Sequence, residues 1–375
     1  MYIEGKNASL IFQDFRDPNQ KLSMQDMDSI ILDLRDQLAK AKESGETIRI
    51  RGGGSKDFYG LSKQGKTLET TALSGIIEYE PTELVLTAYA GTPLSEIEAA
   101  LSQNNQMLPF EPPYYGENAT FGGCIATGLS GPRRATMGAV RDFVLGVRIL
   151  DGNGKDLSFG GKVMKNVAGF DVSRVLTGSN GTLGLILSAS VKVLPKPEVE
   201  KSVCFVTSEK EAIVKMNEIA GLPAPLSGSC FDGEKLVIRL SGAGAAVRAG
   251  IERIGGDGFN DQNFWNEIKE QQHPFFRKTG TLIRLSINSA SPPIENEQTF
   301  LEWNGSLRWL WGSRDLDHYQ EIAKARGGNA SIFRSDTTCT EIMKLSRPMM
   351  RLQEKVKQSL DPHGLFGKNR MFKEF

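Results

Sequence analysis

Ile48-Arg49-Ile50-Arg51-Gly52-Gly53-Gly54-Ser55 is a short alternating run that ends in three consecutive glycines. A strand feeding such a turn leaves successive backbone N–H groups on an open concave surface, because no Cβ stands in front of them. That surface suits an anion, and a diphosphate in particular. Outward from it, two more glycine-dense segments lie before Pro195: Thr120-Phe121-Gly122-Gly123-Cys124-Ile125-Ala126-Thr127-Gly128 and Gly178-Ser179-Asn180-Gly181-Thr182-Leu183-Gly184. Glycine is also the compositional excess, 40 residues in 375 against a background of roughly 7%. Three separate clusters predict one elongated anionic ligand held at several points along its length.

The surrounding pattern alternates helix and strand, as in an α+β or α/β domain. Met27, Ile30, Ile31, Leu34, Leu38 and Ala41 recur at helical spacing, with Ser23 as N-cap and Gly45 as stop. Residues 83–90 read as a strand, after which Thr92-Pro93 opens a helix with Pro in its first turn and Leu94, Ile97 and Leu101 on one face. Residues 144–150 read as a strand turned by Asp151-Gly152-Asn153-Gly154 into a partner near Leu157 and Phe159. Leu185, Leu187, Ala189, Val191 and Val193 alternate with Ser188, Ser190 and Lys192, which predicts a half-buried strand. Pro195 and Pro197 close this half. Residues 201–334 read as a second domain with shorter elements, packed around Trp303, Trp309 and Trp311, and residues 339–358 as a helical tail. The expected boundaries are 1–197, 198–334 and 335–375.

Composition narrows the function class. At 375 residues the chain is about two average domains long, with 39% hydrophobic and 24% charged residues, the profile of a globular protein. Lys+Arg and Asp+Glu both number 45, so no net field draws in nucleic acid or an acidic membrane. Cys124, Cys204, Cys230 and Cys339 are far apart with no C-x-x-C, which predicts reduced structural thiols rather than a zinc or iron–sulfur site. Residues 1–15 build no uninterrupted apolar run and no stretch approaches a spanning helix, so a cytoplasmic location is expected.

Gly60-Leu61-Ser62-Lys63-Gln64-Gly65-Lys66-Thr67 fits the P-loop pattern letter for letter and, alone, would predict a nucleotide triphosphatase. Its context disagrees. Asp57-Phe58-Tyr59 precedes it instead of a buried strand, and Leu68-Glu69-Thr70-Thr71 continues it as a strand rather than a helix. The loop at 51–55 also lacks the G-x-G-x-x-G spacing of a Rossmann nicotinamide site.

With Arg141-Asp142-Phe143-Val144-Leu145-Gly146 added, the three clusters resemble, in order and spacing, the PCMH-type FAD-binding domain of vanillyl-alcohol oxidase-type flavoproteins. Glu111-Pro112-Pro113-Tyr114-Tyr115-Gly116, Gly131-Pro132-Arg133-Arg134 and Lys165-Asn166-Val167-Ala168-Gly169-Phe170-Asp171 are more closely similar to the FAD-binding E subunits of bacterial glycolate oxidases. The resemblance implies an α+β fold: two α+β subdomains with FAD between them, and a cap domain containing an antiparallel sheet. It implies that Arg51, Gly52, Gly53, Gly54 and Ser55 cradle the pyrophosphate. Pro113 joins the site, with Thr120, Gly122, Gly123, Ala126, Thr127 and Gly128 along the diphosphate and ribityl chain. Gly178, Ser179, Gly181, Thr182, Gly184 and Ile186 close over the adenine side. Arg141-Asp142 is expected as a buried structural ion pair. Relatives that tether flavin covalently have His where Ser55 stands, so non-covalent FAD is expected. The tail reads Phe366-Gly367-Lys368-Asn369-Arg370 where the family usually has Asn-Pro-Gly-Arg.

Oxidising a 2-hydroxy acid needs a carboxylate clamp and a base or metal for the hydroxyl proton. His273, His318 and His363 share no local motif, and Arg239, Arg277 and Arg284 read as clamps or, more simply, as surface ion-pair partners. No catalytic residue and no metal site is assigned from the sequence. Two readings stay open. In one, the chain is the FAD-binding subunit of a glycolate oxidase complex. The resemblance then implies two partners, a larger FAD subunit that oxidises glycolate to glyoxylate and an iron–sulfur subunit, through which the complex meets the inner membrane. In the other it is a free-standing FAD-dependent 2-hydroxy-acid oxidoreductase.

Overall fold

A computed structural model describes residues 23–61, 63–161, 171–312, 314–337 and 339–373. The segment Lys165-Asn166-Val167-Ala168-Gly169-Phe170, singled out above, lies outside them, as do residues 1–15.

The first helix, Met24–Ser44, has both ends specified. Ser23 caps it through a reciprocal capping box with Asp26, and Gly45 ends it at φ 70. Its buried stripe of Met27, Ile31, Leu34, Leu38 and Ala41 packs on Ile48, Leu150, Leu185 and Leu187. Next to it Ile48–Arg51 pairs in parallel with Lys66–Glu69, so the P-loop look-alike runs into a strand and the nucleotide triphosphatase reading ends there.

The centre of this half is a five-stranded antiparallel sheet. Its spatial order is Ile76–Glu80, Val85–Tyr89, Leu185–Lys192, Val144–Leu150, Asp156–Gly160. The hairpin at 151–154 is held by Asp151, whose Oδ1 accepts from the N–H groups of Asn153 and Lys155 at 2.8 Å each. Leu185–Lys192 departs from expectation. It is the central strand and is buried on both faces, because the first helix covers one and the helices Leu94–Gln103 and Phe121–Thr127 cover the other. Its serines are not solvent-facing: Ser190 Oγ lies 2.8 Å from Thr87 Oγ1 on the neighbouring strand, so each hydroxyl satisfies the other inside the core.

The chain then builds an eight-stranded antiparallel sheet. Its order is Asp257–Phe259, Val199–Val206, Lys235–Gly242, Leu226–Phe231, Phe300–Glu302, Leu307–Gly312, Thr281–Ser286, Asn329–Ser335. Two of these strands have eight residues, as long as the longest of the first half, so the expectation of shorter elements does not hold. One face carries the helices Glu209–Ala220, Gly244–Ile254 and Leu316–Lys324. The other presents Phe275, Phe276, Phe300, Trp303, Trp309 and Phe333 to Tyr59 and Leu129 of the first half. The three tryptophans are packing residues: Trp309 Nε1 donates to Glu302, Trp311 Nε1 to the Phe275 carbonyl and Trp303 Nε1 to the Gly131 carbonyl.

Ionic contacts cross the seam between the two sheets. Glu111 accepts from Arg133 Nε at 2.9 Å and from Arg239 Nη2 at 2.9 Å, and Glu200 pairs with both arginines. Arg239 is 2% exposed and Trp265 stacks on it, its guanidinium 4.7 Å from the ring centroid. Glu270 accepts from the backbone N–H groups of Tyr114 and Tyr115. Arg239 is therefore a buried seam residue rather than a surface pairing partner.

Smaller expectations also shift. Pro93 is the N-cap residue of Leu94–Gln103 and stands one position outside its first turn. Residues 121–127 form a helix with Thr120 as N-cap. The tail helix begins only at Arg347, with Pro348 in its first turn, and ends at Leu360. Arg141 and Asp142 are both exposed. Asp142 caps the turn at Ala139 and faces Arg174 at 3.8 Å, so the buried ion pair belongs to Arg133 and Glu111 instead.

Removing one member of a buried charge pair strands the other. Glu111→Ala is therefore expected to cost about 3–5 kcal/mol in urea unfolding, well beyond Asp156→Ala at the half-exposed Arg148 pair. Glu302 predicts a pH effect of opposite sign to ordinary acid unfolding. Burial pushes its carboxyl up from 4.5 to about 7, against the pull of the Trp309 indole N–H. Between those values the folded chain holds a proton that the unfolded chain has released, so stability falls as pH rises through that window. Glu302→Gln should flatten that slope and stabilise the protein at pH 8 by on the order of 3 kcal/mol.

Candidate functional site

The turn after Ile48–Arg51 is pressed against the segment that caps the next helix. A Cβ on Gly53 would stand 1.4 Å from the Asn118 carbonyl oxygen, and one on Gly52 would stand 2.3 Å from Thr120 Oγ1, so no other residue fits either position. Thr120 in turn accepts from the Gly123 N–H and caps Phe121–Thr127. The third glycine cluster is stitched to the same helix: Gly178 N–H donates to the Ile125 carbonyl at 3.0 Å and Asn180 N–H to the Ala126 carbonyl at 2.7 Å. Three segments distant in sequence thus meet edge to edge through their backbones.

They enclose one cleft of roughly 720 Å³, measured to its open mouth. Arg51, Gly52, Gly53, Gly54, Ser55, Thr120, Gly122, Gly123, Ala126, Thr127, Gly181, Gly184 and Ile186 line it. Pro113, Gly128, Gly178, Ser179 and Thr182 do not. Pro113 is buried, Gly128 ends the helix Phe121–Thr127 at φ 62, and Thr182 turns its carbonyl to Lys357. Ile50, Lys56, Asp57, Thr70, Ala90, Asn180 and Arg370 also line it and were not singled out by sequence. Asn180 sat inside the quoted third cluster, and Lys56-Asp57 directly follow the first. Arg370 stood in the tail Phe366-Gly367-Lys368-Asn369-Arg370, quoted as a departure from the family pattern and given no role.

The lining has two characters. Ile50, Ala90, Ala126 and Ile186 give it apolar wall, while the glycine backbones, Thr120, Thr127 and Asn180 give it donors and acceptors. The buried Asn180 Oδ1 has no hydrogen-bond partner within the protein. This combination fits a long ligand with a planar apolar part and a diphosphate, and seven glycines bring bare backbone to its surface.

The cations at the cleft are unequal. Arg51 is committed to carboxylates, donating from Nε to Asp57 at 3.0 Å and from Nη1 to Glu69 at 3.2 Å, hydrogen bonds that raise its pKa. Asp57 also receives Arg49, and the two guanidiniums hold its carboxyl below the usual range although burial opposes them. Lys56 is 8% exposed and donates to the Tyr114 carbonyl at 3.2 Å; burial lowers its pKa. Cys124, within the helix Phe121–Thr127, is a fully buried thiol pushed up to about 12 by burial.

The other sequence candidates serve packing. His273 Nδ1 accepts from the Phe275 N–H, His363 meets Asn153 at 3.0 Å and His318 stacks edge-on to Tyr319. Arg277 Nε donates to the Gln272 carbonyl, and Arg284 lies over Trp303 and Trp309. Where the second sheet faces the first half, Phe58, Tyr115, Phe333 and Trp309 fill the space ring against ring, with centroids 4.9 to 6.2 Å apart. All four cysteines are free thiols. Among the described residues no helix is long and apolar enough to cross a membrane.

A sequence model of the FAD binding domain family matches residues 31–160. The glycolate oxidase subunit GlcE of Escherichia coli (strain K12) is 45% identical over 343 residues, which span 91% of this chain and 97% of that protein. The glycolate oxidase subunit GlcD of Bacillus subtilis (strain 168) is 34% identical over 130 residues, 35% of this chain and 27% of its own length. Among solved structures, an alkyldihydroxyacetonephosphate synthase superposes over 88% of this chain and 74% of its own with a TM-score of 0.62 at 15% identity, a likeness of fold. The expected α+β architecture with an antiparallel second sheet is therefore present.

Two glycines separate folding from binding. Gly53→Ala drives a methyl into a carbonyl and should abolish soluble, folded protein. Gly123 is helical, lines the cleft and has only Thr120 Oγ1, at 3.1 Å, near an added Cβ. Gly123→Ala should leave the melting free energy within about 1 kcal/mol of the unaltered chain while weakening flavin binding, measured by fluorescence titration.

Proposed function

Because the chain belongs to the family of the glycolate oxidase subunit GlcE, we propose that it is the FAD-binding subunit of a complex that oxidises glycolate to glyoxylate. It is an FAD-dependent oxidoreductase by descent, with relatives that include a D-lactate dehydrogenase of Archaeoglobus fulgidus. The observation that carries the proposal is the meeting of residues 51–57, 120–127 and 180–186 at one cleft.

In this reading residues 1–197 are the FAD-binding domain and 198–334 the cap, with 335–375 returning to the first domain. Bound FAD supplies the two-electron acceptor for removal of hydride from a hydroxy acid. The backbone N–H groups of the loop at 51–57 hold the diphosphate. Arg51, tied to Asp57 and Glu69, sets the shape of that loop rather than pairing with the ligand. Ile50, Ala90, Ala126 and Ile186 exclude water from the apolar part. Ser55 supplies no imidazole for a covalent tether, so the flavin is dissociable.

Two features support a role in which partners complete the reaction. Where the second sheet meets the first half, the rings of Phe58, Tyr115, Phe333 and Trp309 pack on one another, and His273, His318 and His363 all make structural contacts. The proposed partners are a larger FAD subunit that binds glycolate and an iron–sulfur subunit that receives its electrons.

Purified alone, the chain should show flavin absorbance that is lost on acid precipitation and recovered in the supernatant. Anaerobic glycolate should leave that absorbance unbleached, and bleaching should appear once the larger subunit is added. Bleaching of the isolated chain within a turnover time would overturn the partner-dependent reading, and a colourless chain that takes up no FAD would overturn the cofactor assignment.

A further inference from the structure

Resting on the reading of the cleft as an FAD site, we propose that Arg370 is a diphosphate-binding residue of that site, delivered by a strap at residues 361–371 that is locked in place by the buried Lys357–Asp361 pair.

The strap is anchored along its whole path. Lys357 is 5% exposed and donates three times from Nζ: to Asp361 Oδ2 at 2.7 Å, to the Phe366 carbonyl at 2.6 Å and to the Thr182 carbonyl at 2.7 Å. Asp361 accepts in turn from the N–H groups of Leu365 at 2.9 Å and Phe366 at 2.8 Å. A buried ammonium with every proton committed is a rigid fastening, because loosening any one bond leaves a charge short of solvent. The fastening joins the strap to the third glycine cluster. Its other edge extends the strand that enters the first: Ile48 N–H donates to the Leu365 carbonyl at 2.6 Å and Gly367 N–H to the Ile48 carbonyl at 2.9 Å. Asn180, in the cleft wall, reaches Met371 Sδ at 2.9 Å.

Arg370 is the point at which this strap enters the cleft lining. Its backbone carbonyl accepts from the Leu61 N–H at 2.8 Å, and its side chain passes directly over Gly60, where a Cβ would stand 2.7 Å from Nε. Gly60 itself turns at φ 107, so backbone conformation and the close approach of Arg370 both favour glycine there. Arg370 lies beside Arg49 as well as Asp57, and burial together with Arg49 lowers its pKa, the setting of a cation in a locally positive field. A diphosphate carries two negative charges, and a planar guanidinium with several donors is suited to its oxygens.

The test uses the full chain stripped of flavin and measures binding of FAD by fluorescence, with ADP and adenosine as competitors. Arg370→Gln should weaken FAD and ADP by about 10–100-fold, as expected for loss of one charged hydrogen-bonded contact, while adenosine stays within about twofold. Arg370→Lys should recover part of the loss. Lys368→Gln removes an exposed cation from the same strap and should change nothing. If Arg370→Gln does not yield a folded chain by circular dichroism, Arg370→Lys decides. The proposal is overturned if folded Arg370 variants bind ADP within twofold of the unaltered chain, or if adenosine weakens as much as ADP. An unaltered chain that binds neither FAD nor ADP sinks the cofactor reading on which the proposal rests.

Discussion

The fold depends on backbone meeting backbone where side chains would normally intervene. Gly53 sits so close to the Asn118 carbonyl that even one methyl is excluded, and Gly52 is equally tight against Thr120. Everything around the cleft follows from that approach. It places the turn after Ile48–Arg51 against the cap of Phe121–Thr127, and that helix holds residues 178–180 by two backbone hydrogen bonds. Where the glycines line it, the cleft presents amide rather than methyl, so it offers donors to an anion without spending side-chain entropy to aim them.

Charges taken out of water serve a different purpose in this chain. Lys357 with Asp361, and Arg133 and Arg239 with Glu111 and Glu200, contribute less through net attraction than through the penalty for any other arrangement. A slipped strap or a rotated second sheet would leave an ammonium or a guanidinium without its partners. Apolar contacts such as Phe333 on Trp309 tolerate small displacements; these do not. The two kinds of contact divide the labour, with rings supplying area and ion pairs fixing register.

Much of the first half was legible because its signals are local. Ser23 and Gly45 bound a helix by capping chemistry, Asp151 to Gly154 form a turn through Asp151's own side chain, and the glycine clusters announce bare backbone wherever they fall. The errors share a cause, which is that tertiary surroundings outvoted the pattern. Ser188 and Ser190 alternate with hydrophobic residues as on a half-exposed strand, yet both are buried and the Ser190 hydroxyl bonds to Thr87 within the core. Arg141-Asp142 looks like an ion pair in sequence, whereas the buried one joins Arg133 to Glu111 across 22 residues. The tail that holds Arg370 was quoted for its departure from the family pattern, but its place in the cleft was not legible, because Lys357 and Ile48 set it from elsewhere in the chain.

The seam between the two sheets has an evolutionary reading. Glu111 and Arg133 come from the first half, Glu200 and Arg239 from the second, and each acid reaches a base on the opposite side. A chimaera that grafts the second half of a distant homologue onto this first half inherits one pair of that foursome and must supply the other from foreign residues. Unless it does, Arg133 keeps only Glu111 and every ionic contact across the seam is lost. The halves are thus bound to drift together, and recombination between lineages is filtered at these four seam positions.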